Sequence, residues 1–240
     1  MTTVERLRAA GCVFAEDEAA LLEADGRSLE ELVQRREAGE PLEVILGWVE
    51  FAGIRVLIDP GVFVPRQRTA YLVKRALKLA REGDVVLDLC CGAGAIGAAI
   101  AAQKNVEVHA ADIDPAAVAN ARRNLPRVYQ GDLFEALPSD LTGRVNLLVI
   151  NAPYVPTDAI DLMPREARDF EPLITLDGGS DGVAIHRRIA EAARPWLAPG
   201  AHVLIETSRE QAVLTSAAFE EQGFSTRVKT KKYSTVVIAQ

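Results

Sequence analysis

The sequence predicts an α/β fold: a mostly parallel sheet closed by an antiparallel C-terminal hairpin, with a small helical module in front. Three observations carry this. Short apolar runs alternate with segments of helical texture, the pattern of parallel strands joined by helices. The first of these strands runs into a glycine-rich turn, Gly92-x-Gly94-x-x-Gly97. The chain finishes on two alternating segments, 224–230 and 234–239, joined at Lys231-Lys232-Tyr233.

Residues 1 to about 40 read as short amphipathic helices. Ser28 with Glu31 has the form of a capping box, Leu29, Leu32 and Val33 supply the apolar stripe, and Gly39 and Pro41 end the helix. Such a module buries little by itself and is expected to dock on the rest or on a partner. Between 42 and 65 the texture becomes that of a β-hairpin turning at Ala52-Gly53 and closed by Asp59-Pro60-Gly61. The division expected is therefore a helical module over 1–41, a hairpin linker over 42–65 and the α/β domain over 66–240. A helix over 66–81 follows, with Tyr71, Leu72, Ala76, Leu77 and Ala80 in helical period.

The seven strands come next. The first covers 84–89 and the second 106–112, ending in Asp112. Asp114 is set to cap the following helix, with Pro115 at its first position. A short third strand closes at Gln130-Gly131-Asp132-Leu133, a fourth spans 145–150, a fifth 201–206, and the hairpin supplies the last two. The glycine pattern with Asp112 twenty residues beyond Gly92 is the nucleotide-cofactor arrangement of Rossmann-like sheets. The glycines let backbone approach the ligand, and an acid at the end of strand two can take a ribose diol. Asp132 and Leu133 fall where an adenine ring would lie.

The fourth strand stops at Asn151-Ala152-Pro153-Tyr154. In open α/β sheets ligands occupy the crevice beyond the carboxyl ends of the strands. A turn of this composition can grip a planar –NH2 group: the Asn151 side-chain oxygen and the Ala152 carbonyl each accept one N–H, and Tyr154 packs on the plane. Phe63 and Arg66 fall where they could border the same channel. The alternative for the four residues is ordinary strand-end punctuation.

Composition narrows the classes. The chain has 240 residues, 49% apolar and 25% charged, with a net charge of −7 that argues against indiscriminate nucleic-acid binding. The opening residues lack the apolar stretch of a secretory signal, and no run is long enough to span a membrane. Cys12, Cys90 and Cys91 have no metal-ligand spacing, so no metal and reduced thiols in the cytoplasm are expected. His109, His186 and His202 are scattered and read as structural.

From about Arg35 onward these markers resemble the protein-(glutamine-N5) methyltransferases, the HemK/PrmC family that modifies peptide-chain release factors. The residues that carry the resemblance are Arg36 to Pro41, Gly47, Phe51, Val64-Pro65-Arg66 with Thr69, Asp88 through Gly94, Asp112, Asn151 through Tyr154, and Phe170-Glu171-Pro172. The resemblance implies a class I S-adenosylmethionine-dependent methyltransferase, with the helical module over 1–41 as a substrate-binding module. It assigns the cofactor to Asp88, Cys90, Cys91, Gly92, Ala93, Gly94, Asp112, Ile113, Asp132, Leu133 and Asn151. It assigns catalysis to Asn151, Ala152, Pro153 and Tyr154, and the substrate to those four with Phe63 and Arg66. The chain departs from the family pattern in three places. Ala152 stands where a first Pro is usual, Gln67-Arg68-Thr69-Ala70 replaces Pro-Glu-Thr-Glu, and Leu133 stands where Trp is common.

The function expected is methyl transfer from S-adenosylmethionine to a glutamine side-chain nitrogen of a protein, with a release factor as the partner. Two alternatives remain from the residues themselves. One is adenine-N6 methylation of nucleic acid, since the same turn can hold the amine of a flipped base. The other is a cofactor-binding partner subunit without catalysis.

Overall fold

The computed structural model describes residues 1–240, the side chain of Arg165 excepted. The N-terminal module comprises α1 (Thr3–Ala9), α2 (Ala15–Ala24), α3 (Leu29–Glu37) and α4 (Leu42–Leu46). A capping box does form here, but on α1: Thr2 accepts from the Glu5 N–H while Glu5 accepts from the Thr2 N–H. The one expected at Ser28 is absent, and Ser28 makes no side-chain cap. Ser28 is exposed, so water satisfies the first-turn N–H groups and the cap is not required. Leu32 and Val33 join Leu7, Leu22 and Ile45 in a packed cluster that reaches Leu46 and Trp48. The module thus has a core of its own, beyond what the sequence suggested. Arg36 pairs with Glu18 inside the module at 2.7 Å and ties it outward to Glu166 at 3.6 Å.

The hairpin pairs β1 (Trp48–Phe51) with β2 (Ile54–Leu57). Its two turn residues, Ala52 at φ 47° and Gly53 at φ 88°, both take the left-handed conformation that matches strand twist in a two-residue turn. The helix expected over 66–81 begins later. Residues Gln67–Thr69 form a 3-10 turn and α5 covers Ala70–Leu79, because Arg66 is extended.

The sheet is built from β3 (Val85–Leu89), β4 (Glu107–Asp112), β5 (Val128–Gln130), β6 (Val145–Ile150), β7 (Leu197–Thr207), β8 (Thr226–Lys231) and β9 (Ser234–Ala239). Between them run α6 (Ala95–Ala101), α7 (Pro115–Ala121), α8 (Arg165–Phe170), α9 (Ala184–Ala193) and α10 (Ala212–Glu221). Strand order is β5-β4-β3-β6-β7-β9-β8, parallel through β7, with β9 antiparallel to β7 and β8 antiparallel to β9. Every residue of β3 is buried, as a strand covered on both faces requires. One apolar cluster joins α5, α6 and α7 to one face and takes in the hairpin, and a second joins α9 and α10 to the other.

Two asparagines fasten the hairpin to the domain. Asn120, fully buried on α7, accepts from the Asp59 N–H at 2.7 Å and donates to the Leu57 carbonyl at 2.8 Å. Asn124 accepts from the Leu57 N–H and donates to the carbonyls of Leu57 and Ala93. One side chain therefore links the hairpin to the glycine-rich turn.

Candidate active site

The chain leaves β3 toward β4 and β5 on one side, then returns to lay β6 against the other side of β3, with Leu89 opposite Ile150. That reversal opens a crevice beyond the strand ends, the place where such sheets bind ligands. A cavity of about 480 Å³ lies there. Its wall is contributed by the turns after four strands: Cys90 to Ala93, Asp112 with Ile113, Asp132 with Leu133, and Asn151 to Tyr154. Phe63, Arg66 and Thr69 close the rim. Of the predicted site residues, Asp88 and Gly94 stand outside this wall.

The physical roles of those two are local. Asp88 is fully buried at the end of β3, and one carboxylate oxygen accepts from the Gly97 N–H at 2.7 Å. Burial pushes its carboxyl up to about 8. Gly94 caps α6 at φ 75°, and a Cβ there would stand 2.9 Å from the Leu125 side chain. Gly97 is equally tight, 2.9 Å from Val108. Gly97 thus brings α6 against the sheet and Gly94 brings its start against Leu125 and Ala121, while Gly92 alone of the three faces open space.

At the other side of the turn, Asp112 accepts from the Gly92 N–H at 2.8 Å and from the Asp114 N–H at 3.0 Å. These bonds hold the carboxylate beside the glycine. Burial raises its pKa, and the two N–H donors oppose the rise. Burial likewise raises the Cys90 and Cys91 thiols, which keeps both protonated and unreactive. Asp132 pairs with Arg188 of α9 at 2.7 Å, and both line the cavity. The cation was not foreseen, since it lies 56 residues from its partner.

The Asn151–Tyr154 turn forms the opposite wall. Among the described residues nothing hydrogen-bonds the Asn151 side chain, so its amide is available to a ligand. The Tyr154 hydroxyl accepts from Arg68 at 2.9 Å, and Arg68 lies 3.5 Å from the buried carboxylate of Glu206 at the end of β7. Burial raises the Tyr154 phenol above its usual range, so it stays a neutral group. The turn's backbone is braced from behind. Gln211 donates to the Tyr154 carbonyl at 2.7 Å and to the Asp181 carbonyl at 3.1 Å. Gly178 packs so closely that a Cβ would stand 2.7 Å from the Tyr154 Cα.

Arg66 works at the rim. It donates to both oxygens of Glu171, at 2.7 and 2.6 Å, and its guanidinium lies over the Phe63 ring at 4.9 Å. Glu171 also accepts from the Val64 N–H. The pair fastens the loop before α5 to the loop after α8, so Glu171 is a brace. No group of three or more His, Cys, Asp or Glu among the described residues could hold a metal ion. His109 contacts Tyr129 and Glu107, and His186 is buried against Thr215.

The strand order, the antiparallel closing hairpin and the crevice with its glycine turn and strand-two acid define a class I methyltransferase fold. Residues 53–164 match the methyltransferase small domain. Solved structures agree on the fold: a methyltransferase from Pyrococcus furiosus superposes with a TM-score of 0.59 at 19% identity, covering 78% of this chain and 88% of that one. A chain of the E. cuniculi Mtq2–Trm112 complex, responsible for methylation of the eRF1 translation termination factor, gives a TM-score of 0.54 at 20% identity over 75% of this chain and 97% of that one. Among sequence relatives, the release factor glutamine methyltransferase of Geobacter sulfurreducens is 38% identical over 200 residues, 80% of this chain and 69% of that protein. The protein of the same name from Streptomyces coelicolor is 38% identical over 205 residues, 81% and 73% of the two chains. The chain belongs to the release factor glutamine methyltransferase family.

Proposed function

We propose that this enzyme transfers a methyl group from S-adenosylmethionine to the side-chain amide nitrogen (N5) of a glutamine in a peptide-chain release factor. The observation that carries the reading is the Asn151–Tyr154 turn. An Asn side chain with no hydrogen bond among the described residues faces the same cavity as Gly92 and Asp112. The cavity suits the cofactor. Asp112 is an acceptor fixed at the end of β4 for a ribose diol, Gly92 leaves room for close approach, and Ile113 and Leu133 offer apolar cover for an adenine ring. Asp132 supplies an acceptor for the ring's exocyclic amine. When bound, the cofactor supplies an activated methyl group on a sulfonium.

The chain's own residues have a different task. An amide nitrogen is a weak nucleophile because its lone pair is delocalised into the carbonyl. Asn151 Oδ1 and the Ala152 carbonyl accept the two N–H bonds of the substrate amide and so fix the plane of the nitrogen. Both acceptors gain strength as positive charge grows on that nitrogen, which favours the transition state over the ground state. Tyr154 packs against the amide, held by Arg68 through its hydroxyl and by Gln211 through its carbonyl. The carboxylates on the cavity wall are already engaged, Asp112 by the Gly92 and Asp114 N–H groups, Asp132 by Arg188 and Asp177 by Thr157 and Gly179, so positioning carries the rate and no side chain takes the proton before transfer. The proton leaves to solvent afterwards.

No helix among the described residues is long and apolar enough to cross a membrane, and the reading carries with it a cytoplasmic site of action. Transfer of labelled methyl is tested against purified release factor, DNA and RNA in parallel. Label on the protein alone supports the reading. Label on nucleic acid alone replaces it with adenine methylation, and no transfer from a folded, cofactor-binding chain leaves a binding subunit.

A further inference from the structure

Beside the mouth of the cavity lies a groove of about 430 Å³ that the methyl-transfer reaction does not use. Four cations border it: Arg68 from the 3-10 turn, Lys74 from α5, and Lys231 and Lys232 from the tip of the β8–β9 hairpin. No Asp or Glu lines it. Arg68 is balanced by Glu206, but among the described residues Lys74, Lys231 and Lys232 form no ion pair. All three lysines are exposed. Two tyrosines stand among them, Tyr71 one helical turn before Lys74 and Tyr233 at the hairpin tip, 91% exposed. In a chain whose acids exceed its bases by seven, a cationic groove without a single acid is a local concentration of unlike sign.

Lysines on an edge strand ordinarily serve to keep the edge from pairing, and β8 is the edge strand of the sheet. That role accounts for Lys229 and Lys231. It does not account for Lys74, which comes from a helix and meets the hairpin tip across the groove. The groove also adjoins the active site: Arg68 lines both and reaches Tyr154. A polypeptide whose glutamine sits in the Asn151–Tyr154 turn must leave the cavity on both sides of that residue. We propose that the groove receives an acidic stretch of the substrate protein flanking the acceptor glutamine, with the three lysines reading Asp and Glu side chains and Tyr233 covering their apolar stems. This rests on the glutamine-methyltransferase reading. A nucleic-acid strand is the less suitable occupant: the cations are four and local, and the net charge of the whole chain repels an extended polyanion.

The test uses the full chain and two readouts. The first is fluorescence anisotropy with a labelled peptide of alternating Glu and Gly around one Gln, against a single-stranded RNA oligomer of equal charge. The second is KM and kcat for purified release factor. The variant is Lys74→Glu/Lys231→Glu/Lys232→Asp, with Asp chosen at 232 because that residue sits at φ 51°, where Asp is tolerated. A Lys74→Arg/Lys231→Arg variant retains the charge. The proposal expects the acidic peptide to bind the wild type, the acidic variant to lose about tenfold in affinity, and the Arg variant to keep it. It expects KM for release factor to rise about tenfold while kcat stays within twofold, and added salt to erase the difference. Peptide binding that is absent or indifferent to the charge reversal, or a preference for RNA, overturns it. Wild-type protein that binds the peptide through these lysines yet methylates no release factor counts against the function above and not against the groove.

Discussion

Replacing Gln211 by Leu separates positioning of the clamp from binding of the cofactor. The Gln211 amide donates to the carbonyls of Tyr154 and Asp181 at 2.7 and 3.1 Å, and the residue is 8% exposed. Leu nearly fills the same volume, so the cavity term is small and the loss is that of two hydrogen bonds. The Tyr154 carbonyl has no other donor among the described residues and bears a desolvation penalty of roughly 1–3 kcal/mol, while the Asp181 carbonyl adds about 0.5–1.5 kcal/mol. A total of about 1.5–4.5 kcal/mol should appear as a lower urea midpoint at unchanged slope. The released turn no longer holds Ala152 and Tyr154 in register, and a misplacement on the order of 1 Å can cost about a hundredfold in rate. Single-turnover methyl transfer should therefore fall ten- to a hundredfold. Cofactor affinity by calorimetry should stay within about twofold, because Asp112 is set by a different strand. Full activity in a protein destabilised as described would refute the bracing role.

Asn151→Ala should lower kcat by at least about a hundredfold while leaving cofactor affinity largely intact, since it removes one of two acceptors aimed at the reacting nitrogen; retained turnover would remove Asn151 from the mechanism. Asp112→Ala should weaken S-adenosylmethionine binding by roughly 1.5–3 kcal/mol in calorimetry, the range for hydrogen bonds to a charged group. Tight binding of a nicotinamide cofactor in its place would contradict the cofactor reading. Asp88 makes stability depend on pH. Its folded pKa is raised from 3.8 to about 8, so the folded state binds more protons than the unfolded one between these values. The stabilisation is complete below the lower value and is lost as pH rises through the upper one. Asp88→Asn keeps an acceptor for the Gly97 N–H, and its urea midpoint should change less between pH 6 and pH 9 than that of the wild type; equal changes would assign the titration elsewhere. Ala152→Pro keeps the carbonyl acceptor and should preserve turnover, with sharp loss of activity indicating that the Ala152 N–H is needed.

What could be seen in the sequence was whatever is encoded locally. The apolar runs of β3, β6 and β9, the two-residue turn at Ala52-Gly53 and the cap at Asp114 each depend on neighbours a few residues away, and the structure has them. The glycine motif, Asp112 and the turn after β6 were visible as well, because strand ends in this topology converge on one crevice. What was not visible depends on pairs far apart in the chain. Arg68 meets Tyr154 and Glu206, Gln211 meets Tyr154, Arg188 meets Asp132, and Asn120 meets Leu57; none has a local pattern that names its partner. Ser28 failed for the reverse reason. Its local pattern was right, but an exposed helix start has water to satisfy the same donors.

The central claim is that a primary amide is the methyl acceptor. It is tested most directly by incubating the enzyme with labelled S-adenosylmethionine and purified release factor, then mapping the label by peptide mass spectrometry. A single methyl group is expected on one glutamine side chain, absent when Asn151 is Ala and absent when that glutamine is changed to Glu. A methyl group on any other residue type, or one that survives both substitutions, would contradict it.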